Sequence, residues 1–179
     1  VLGHAMPDTT DEAVRSAVSR VRRAGQPDVL VACVEPPRCG PLIREMERQD
    51  LAPRAAVFTV CAAMEGFLSE VGRAGEYILG VTPWLPNTTH GSPTLSGLRV
   101  ADFVARYTER FKEKPNYHMA HSFSAVAALV AAIELAGSTD PVAVAAELRS
   151  MNETSISGLI AFDANGQSTS TMAVVQWID

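Results

Sequence analysis

Pro27-Asp28-Val29-Leu30-Val31-Ala32-Cys33-Val34 is a turn dipeptide followed by six apolar residues with no polar interruption, the pattern of a parallel strand covered on both faces. On its N-terminal side, Thr9 and Glu12 stand at capping-box spacing and Val14, Ala17, Val18 and Val21 recur at helical spacing, while Gly25 suits the left-handed residue that closes a helix. On its C-terminal side, Pro41 suits the first position of a short helix lined by Leu42, Ile43 and Met46, and Ala55 to Val60 is a second apolar strand. A weaker helix from Met64 to Val71, a stop at Gly72 and a third strand from Tyr77 to Val81 continue the alternation. The expected fold is therefore α/β, with these three strands parallel in one sheet, right-handed crossovers and helices on both faces.

The pattern then changes. Thr82-Pro83-Trp84-Leu85-Pro86 and the polar stretch through Pro93 suit neither helix nor strand, and read as a crossing between two lobes. Val100, Phe103, Val104, Tyr107 and Phe111 mark an amphipathic helix ended by Pro115, and a buried helix is expected from about Met119 to Ala136, stopped by Gly137. Asp140-Pro141 places an N-cap and an N1 proline before Val144, Ala145 and Leu148. Gly158 to Phe162 and Met172 to Ile178 read as two strands, joined by a hairpin-like loop with a turn at Asp163-Ala164-Asn165-Gly166.

Composition narrows the function classes. With 47% hydrophobic and 20% charged residues the 179-residue chain can bury a core. Its net charge of -5 comes from intermixed acids and bases, so no basic field invites nucleic acid or anionic lipid. The longest apolar stretch, Ala125 to Ala136, is shorter than the roughly 20 residues of a membrane span, and no direct membrane insertion is expected of this segment. The chain opens without methionine on Val1-Leu2-Gly3, which reads as the tail of a strand with something upstream removed. Cys33, Cys39 and Cys61 form no CxxC pair. Cys39 and Cys61 each follow a strand, and neighbouring strands lie about 5 Å apart, so a disulfide between them with Cys33 as a buried free thiol stands beside three reduced thiols as the alternative. Neither a GxSxG elbow, a GxGxxG loop after a strand, a Walker loop nor an HExxH pair occurs, so the chain is expected to bind and not to catalyse, with no cofactor.

Several segments carry a family resemblance: Ala101-Asp102-Phe103-Val104-Ala105-Arg106-Tyr107, then Lys114-Pro115-Asn116-Tyr117, then Ala125-Val126 leading to Ala136-Gly137-Ser138-Thr139-Asp140-Pro141, and Gly158 to Phe162 with Asp163 and Gly166. Together with Gln26-Pro27-Asp28-Val29 and Gly80-Val81-Thr82-Pro83-Trp84, they resemble the C-terminal half of type I periplasmic binding proteins of the branched-chain amino-acid-binding type. The resemblance implies Rossmann-like parallel sheet layers in two lobes with a ligand clamped between them. It assigns 1–83 to a lobe 2 portion, 84–150 to a crossing and lobe 1 helices that cover a sheet supplied by an earlier part of the chain, and 151–179 to a return to lobe 2. It also implies a periplasmic or extracellular location, a signal peptide in the full-length protein and an ABC transporter membrane permease as partner.

Ligands of open α/β sheets sit beyond the carboxyl ends of the strands, which selects Glu35-Pro36-Pro37-Arg38 and Cys61-Ala62-Ala63. The candidate ligand-binding residues are Glu35, Pro36, Cys61, Ala62 and Trp84. The resemblance implies an aromatic residue near Glu35 and, near Cys61, an acid that pairs with a ligand ammonium; this sequence departs from both. A thiol cannot supply that charge, whereas Glu35 can, and the plainer alternative for Glu35 is a solvated loop acid. Trp84 either closes over the ligand or packs the hinge. His118 and His121 share a helix face at i, i+3 without an Asp, Glu or Cys to complete a metal set, so they read as helix-start histidines and no metal site is expected. The implied function is the substrate-binding component of an ABC importer for a small polar ligand such as an amino acid, amide or aromatic acid. The alternatives are the ligand-sensing ectodomain of a membrane receptor and a Rossmann-type enzyme domain.

Overall fold

A computed structural model describes residues 3, 6, 10–88, 94–168 and 171–178. Val1, Leu2 and Thr9, on which two of the expectations above rest, lie outside the described residues. The chain divides into two compact units, Val1–Thr82 with Val174–Asp179, and Pro83–Ala173. Residues 151–173, read above as part of a return to lobe 2, fall in the second of these units.

In the first unit, helix α1 (Asp11–Arg23) is capped by Thr10, whose hydroxyl accepts the Ala13 amide at 3.2 Å. The cap is one residue past Thr9, and Gly25, at φ +113°, closes the helix where expected. Strands β1 (Val29–Ala32), β2 (Ala55–Phe58) and β3 (Leu79–Thr82) form parallel neighbours, with Val29 opposite Ala55 and Val57 opposite Leu79. Helix α2 (Pro36–Arg48) begins five residues before Pro41, which lies inside it. Pro36 and Pro37 take N1 and N2, where an amide N–H has no helical partner to lose. Leu42, Ile43 and Met46 face the core with Val14 and Val18 of α1. Coverage on both faces fails at β1: Leu30 and Ala32 turn toward this core, but Val29 and Val31 are 57% and 59% exposed. The reason is position, since β1 is the edge of a four-stranded sheet that continues from β3 to a C-terminal strand, Ala173–Gln176, among the described residues. Between β2 and β3 the chain makes a 3₁₀ turn (Cys61–Ala63) and the short helix α3 (Phe67–Val71), closed by Gly72 at φ +61°.

In the second unit, α4 (Val100–Phe111) ends at a left-handed Lys112. α5 (Tyr117–Ala136) starts at Asn116, whose side chain accepts the His118 amide, and ends at a left-handed Gly137. α6 (Pro141–Ser150) starts at Asp140, whose carboxylate accepts the Val142 and Ala143 amides at 3.1 and 3.0 Å. α5 is not the buried helix expected: Ala120, Ser124, Ala128 and Ala132 form a closed small-residue face, while Val126 and Val130 are 62% and 48% exposed. By length and composition alone it could cross a membrane.

The C-terminal strands also differ from expectation. β4 (Asn152–Ser155) and β5 (Gly158–Ala161) form an antiparallel hairpin around Ile156-Ser157. β6 (Ala173–Gln176) joins the first unit's sheet beside β3 and does not pair with β5 as a hairpin strand. The turn at Asp163 is as expected, its carboxylate accepting the Asn165 and Gln167 amides at 2.8 Å each.

Candidate functional site

The loops after β1 and β2 meet at one corner of the first unit. Glu35 is the N-cap of α2, with φ -74° and ψ 153°; its carbonyl accepts the Arg38 amide at 2.9 Å, but its carboxylate makes no capping bond and is exposed to solvent. One turn into α2, Cys39 is joined by a disulfide to Cys61 in the 3₁₀ turn, with the two Cα atoms 6.3 Å apart. That is the pairing left open by the sequence. Cys33 is the free cysteine, but exposed, because it follows buried Ala32 onto the opposite side of the extended chain.

The 3₁₀ turn is fixed from two further directions. The Ala62 carbonyl accepts the indole N–H of Trp177 at 2.7 Å. Beneath it lies Gly80 of β3, where an added Cβ would stand 2.7 Å from the Ala62 Cβ and 3.3 Å from a Val175 methyl. Only glycine lets the turn seat this closely on the sheet. Trp177 escaped the sequence reading; its signal was an isolated indole in a terminal strand, which needs a partner for its N–H.

A cavity of about 530 Å³ opens on the α1 side of this corner. Val18, Leu30, Val34 and Met46 supply apolar wall, and Glu35 and Arg38 bring one charge of each sign to the lining. Of the five residues selected from sequence, Glu35 alone lines it. Pro36 is half-buried at the start of α2. Cys61 and Ala62 are buried, the one in the disulfide and the other seated on Gly80, and neither lines this cavity. Of the two roles open to Trp84 the structure shows packing: it lies in the core of the second unit, edge-on to Phe103 and donating its indole N–H to the Ile156 carbonyl at 2.9 Å.

The two histidines separate in environment. His118 is exposed against the Tyr117 ring, whereas His121 is half-buried with no partner on Nε2. Among the described residues no group of three His, Cys, Asp or Glu side chains comes together. Burial first, and the neighbouring His118 second, hold the His121 imidazole below its ordinary pKa. The unfolded chain therefore binds more protons than the folded one below about pH 6.5, and stability is lost as pH falls from there through the depressed folded value. Urea midpoints of the whole protein at pH 7.5 and 5.5 should show this loss, and His121→Gln should shrink it; an equal pH dependence in the variant would remove His121 as its source.

The whole chain, residues 1–179, matches the model of a family described as "Periplasmic binding protein". Among solved structures, a leucine binding protein LivK from Thermotoga maritima is similar over 97% of this chain and 47% of its own, at 23% identity and a TM-score of 0.77. The branched-chain amino acid transporter substrate binding protein LivJ from Streptococcus pneumoniae, in complex with isoleucine, matches 98% of this chain and 47% of its own at 15% identity and a TM-score of 0.73. An ABC transporter solute binding protein from R. palustris in complex with benzoate matches 97% and 45% at 17% identity and a TM-score of 0.71. The chain thus spans about half the length of these structures and shares their fold over that span. With strand order, parallel register and a family match over every residue in agreement, this chain belongs to the periplasmic binding protein family.

Proposed function

We propose that the whole protein is the extracytoplasmic solute-binding component of an ABC importer, and that this chain supplies one wall of the site for a small polar ligand, delivered to a membrane permease. In this reading the first unit is lobe 2, Pro83 onward crosses to lobe 1, and the open face of α5 is covered by an earlier part of the protein. Binding, and not catalysis, is the activity. The observation that supports it is the corner itself. An exposed Glu35 carboxylate stands beside Arg38 at an apolar cavity, at the carboxyl end of a parallel strand, where α/β folds place their ligands. Opposite charges over an apolar wall suit a zwitterion with an apolar side chain. Glu35 takes the ammonium, which Cys61 cannot, and Leu30 and Val34 of the lining give apolar contact.

Calorimetric titration of the whole protein with leucine, an aliphatic amide and benzoate, repeated on Glu35→Gln, tests this. A charge-assisted contact is worth roughly 1.5–3 kcal/mol, so leucine affinity should fall by about one to two decades, with benzoate affinity unchanged or improved. Equal leucine affinity in both proteins would take Glu35 out of the site.

A further inference from the structure

α2 begins in a way that should leave its first turn weakly held. Its N-cap Glu35 makes no side-chain capping bond, and Pro36 and Pro37 at N1 and N2 have no amide hydrogens with which to anchor the turn to a cap or a neighbouring loop. Pro41, inside the helix, withholds a further amide from the carbonyl one turn back. The disulfide falls within this stretch, and its other end is in the 3₁₀ turn that Trp177 and Gly80 hold against the sheet. Cys39 and Cys61 are 1% and 3% exposed.

We propose that the Cys39–Cys61 disulfide is a redox-dependent staple for this corner: oxidised, it fixes the start of α2 against the turn after β2, and reduced, it lets residues 35–40 loosen while the rest of the unit stays folded. The asymmetry follows from what survives the cut. The 3₁₀ turn keeps its bond to Trp177 and its seat on Gly80. The helix start keeps its packing, the Arg38 amide bond to the Glu35 carbonyl and a first turn with no side-chain cap at Glu35. The chemistry is exchange with a dithiol. One thiolate attacks the disulfide to give a mixed disulfide and release one cysteine thiolate, then the second thiolate displaces the other; two electrons and two protons pass to Cys39 and Cys61, and the reductant leaves as a cyclic disulfide. Because both sulfurs are covered, exchange waits on local opening. That this loosening weakens ligand binding rests on the ligand-site reading above; the loosening itself does not.

The test uses the whole protein, before and after dithiothreitol, with complete reduction verified by alkylation and mass spectrometry as two additional blocked thiols. Amide exchange at Arg38, Cys39 and Gly40 is expected to accelerate at least about ten-fold, with the amides of β2 changing less than about two-fold. The double variant Cys39→Ser/Cys61→Ser should show the same local loosening and no response to dithiothreitol. Unchanged exchange at 38–40 in fully reduced protein overturns the proposal, and so does reduction that unfolds the whole first unit. Isoleucine and benzoate titrations run in parallel separate the two readings. Local loosening with roughly five-fold or greater loss of affinity supports both. Local loosening with unaltered affinity, or with neither probe bound by the oxidised protein, keeps the staple and takes this corner out of a site for such ligands.

Discussion

Trp84→Ala should destabilise the second unit by about 3–5 kcal/mol, the range for emptying a buried aromatic site. The indole is almost fully buried, with its centroid 6.3 Å from Phe103 at an interplanar angle of 82°, an edge-to-face contact that adds to area burial. Its N–H satisfies the carbonyl of Ile156, a fully buried residue in the turn between β4 and β5. Truncation therefore leaves both a cavity and an orphaned carbonyl, and the orphan alone costs roughly 1–3 kcal/mol. Trp84→Phe keeps most of the apolar volume but not the hydrogen bond, and should fall between wild type and alanine. The measurement is the urea midpoint of the whole protein for the three forms, beside a ligand titration at low urea. A loss below about 1 kcal/mol for alanine, with a large loss of ligand affinity, would favour the ligand-contact alternative for Trp84.

Trp84 illustrates which information the sequence carries. β1, β2 and β3 were legible as apolar runs alternating with helices, although β1 is covered on one face alone, and the register of Val29 with Ala55 was not among the things read. The caps at Asp140 and Gly137 were legible because capping is local. β4, by contrast, is Asn-Glu-Thr-Ser, whose pairing with β5 comes from backbone hydrogen bonds and a tight turn at Gly158, φ +105°, and leaves no apolar trace. The destination of β6 is a long-range choice between two sheets that its own residues do not encode. The start of α2 was misplaced because Pro41 and Pro36-Pro37 are both acceptable first-turn prolines, and only the chain's exit from β1 decides between them.

At the site the same division holds. Strand ends located the loops, and Glu35 does stand at the cavity. Whether a residue in such a loop faces a cavity or the core depends on neighbours far away in sequence. Ala62 is turned inward by Gly80 and Trp177, 18 and 115 residues on, and Cys61 by a partner 22 residues back. None of these couplings has a periodicity to read. The exposed Cys33 and the exposed stripe of α5 were missed for the converse reason, since apolar residues on an edge strand or an open helix face look the same in sequence as buried ones.

The deepest link between core and corner is Phe58, and Phe58→Ala is expected to cost the first unit about 3–5 kcal/mol. Phe58 is the last residue of β2 and fully buried, and its neighbours in register are Ala32 on β1 and Gly80 on β3. Residues paired across parallel strands point to the same face, so the phenyl ring stands beside the small side chain of Ala32, while the room over Gly80 is taken by Ala62. The same core cluster contains Cys39, Cys61 and Ala62. Removing the ring empties the space beneath the stapled corner, and neither Ala32 nor Gly80 has a side chain that can swing in to refill it. Phe58→Leu keeps most of the volume and should cost no more than about 1.5 kcal/mol. Because the disulfide persists in the alanine variant, the corner should stay connected while losing its floor. Ligand affinity should then fall together with stability, and amide exchange should quicken at Cys61, Ala62 and Ala63 as well as at the start of α2. Chemical denaturation of the oxidised whole protein, with exchange measured on the same samples, checks all three. A stability loss under about 1 kcal/mol for the alanine variant would mean that the space collapses after all, and that Phe58 is not what supports the corner.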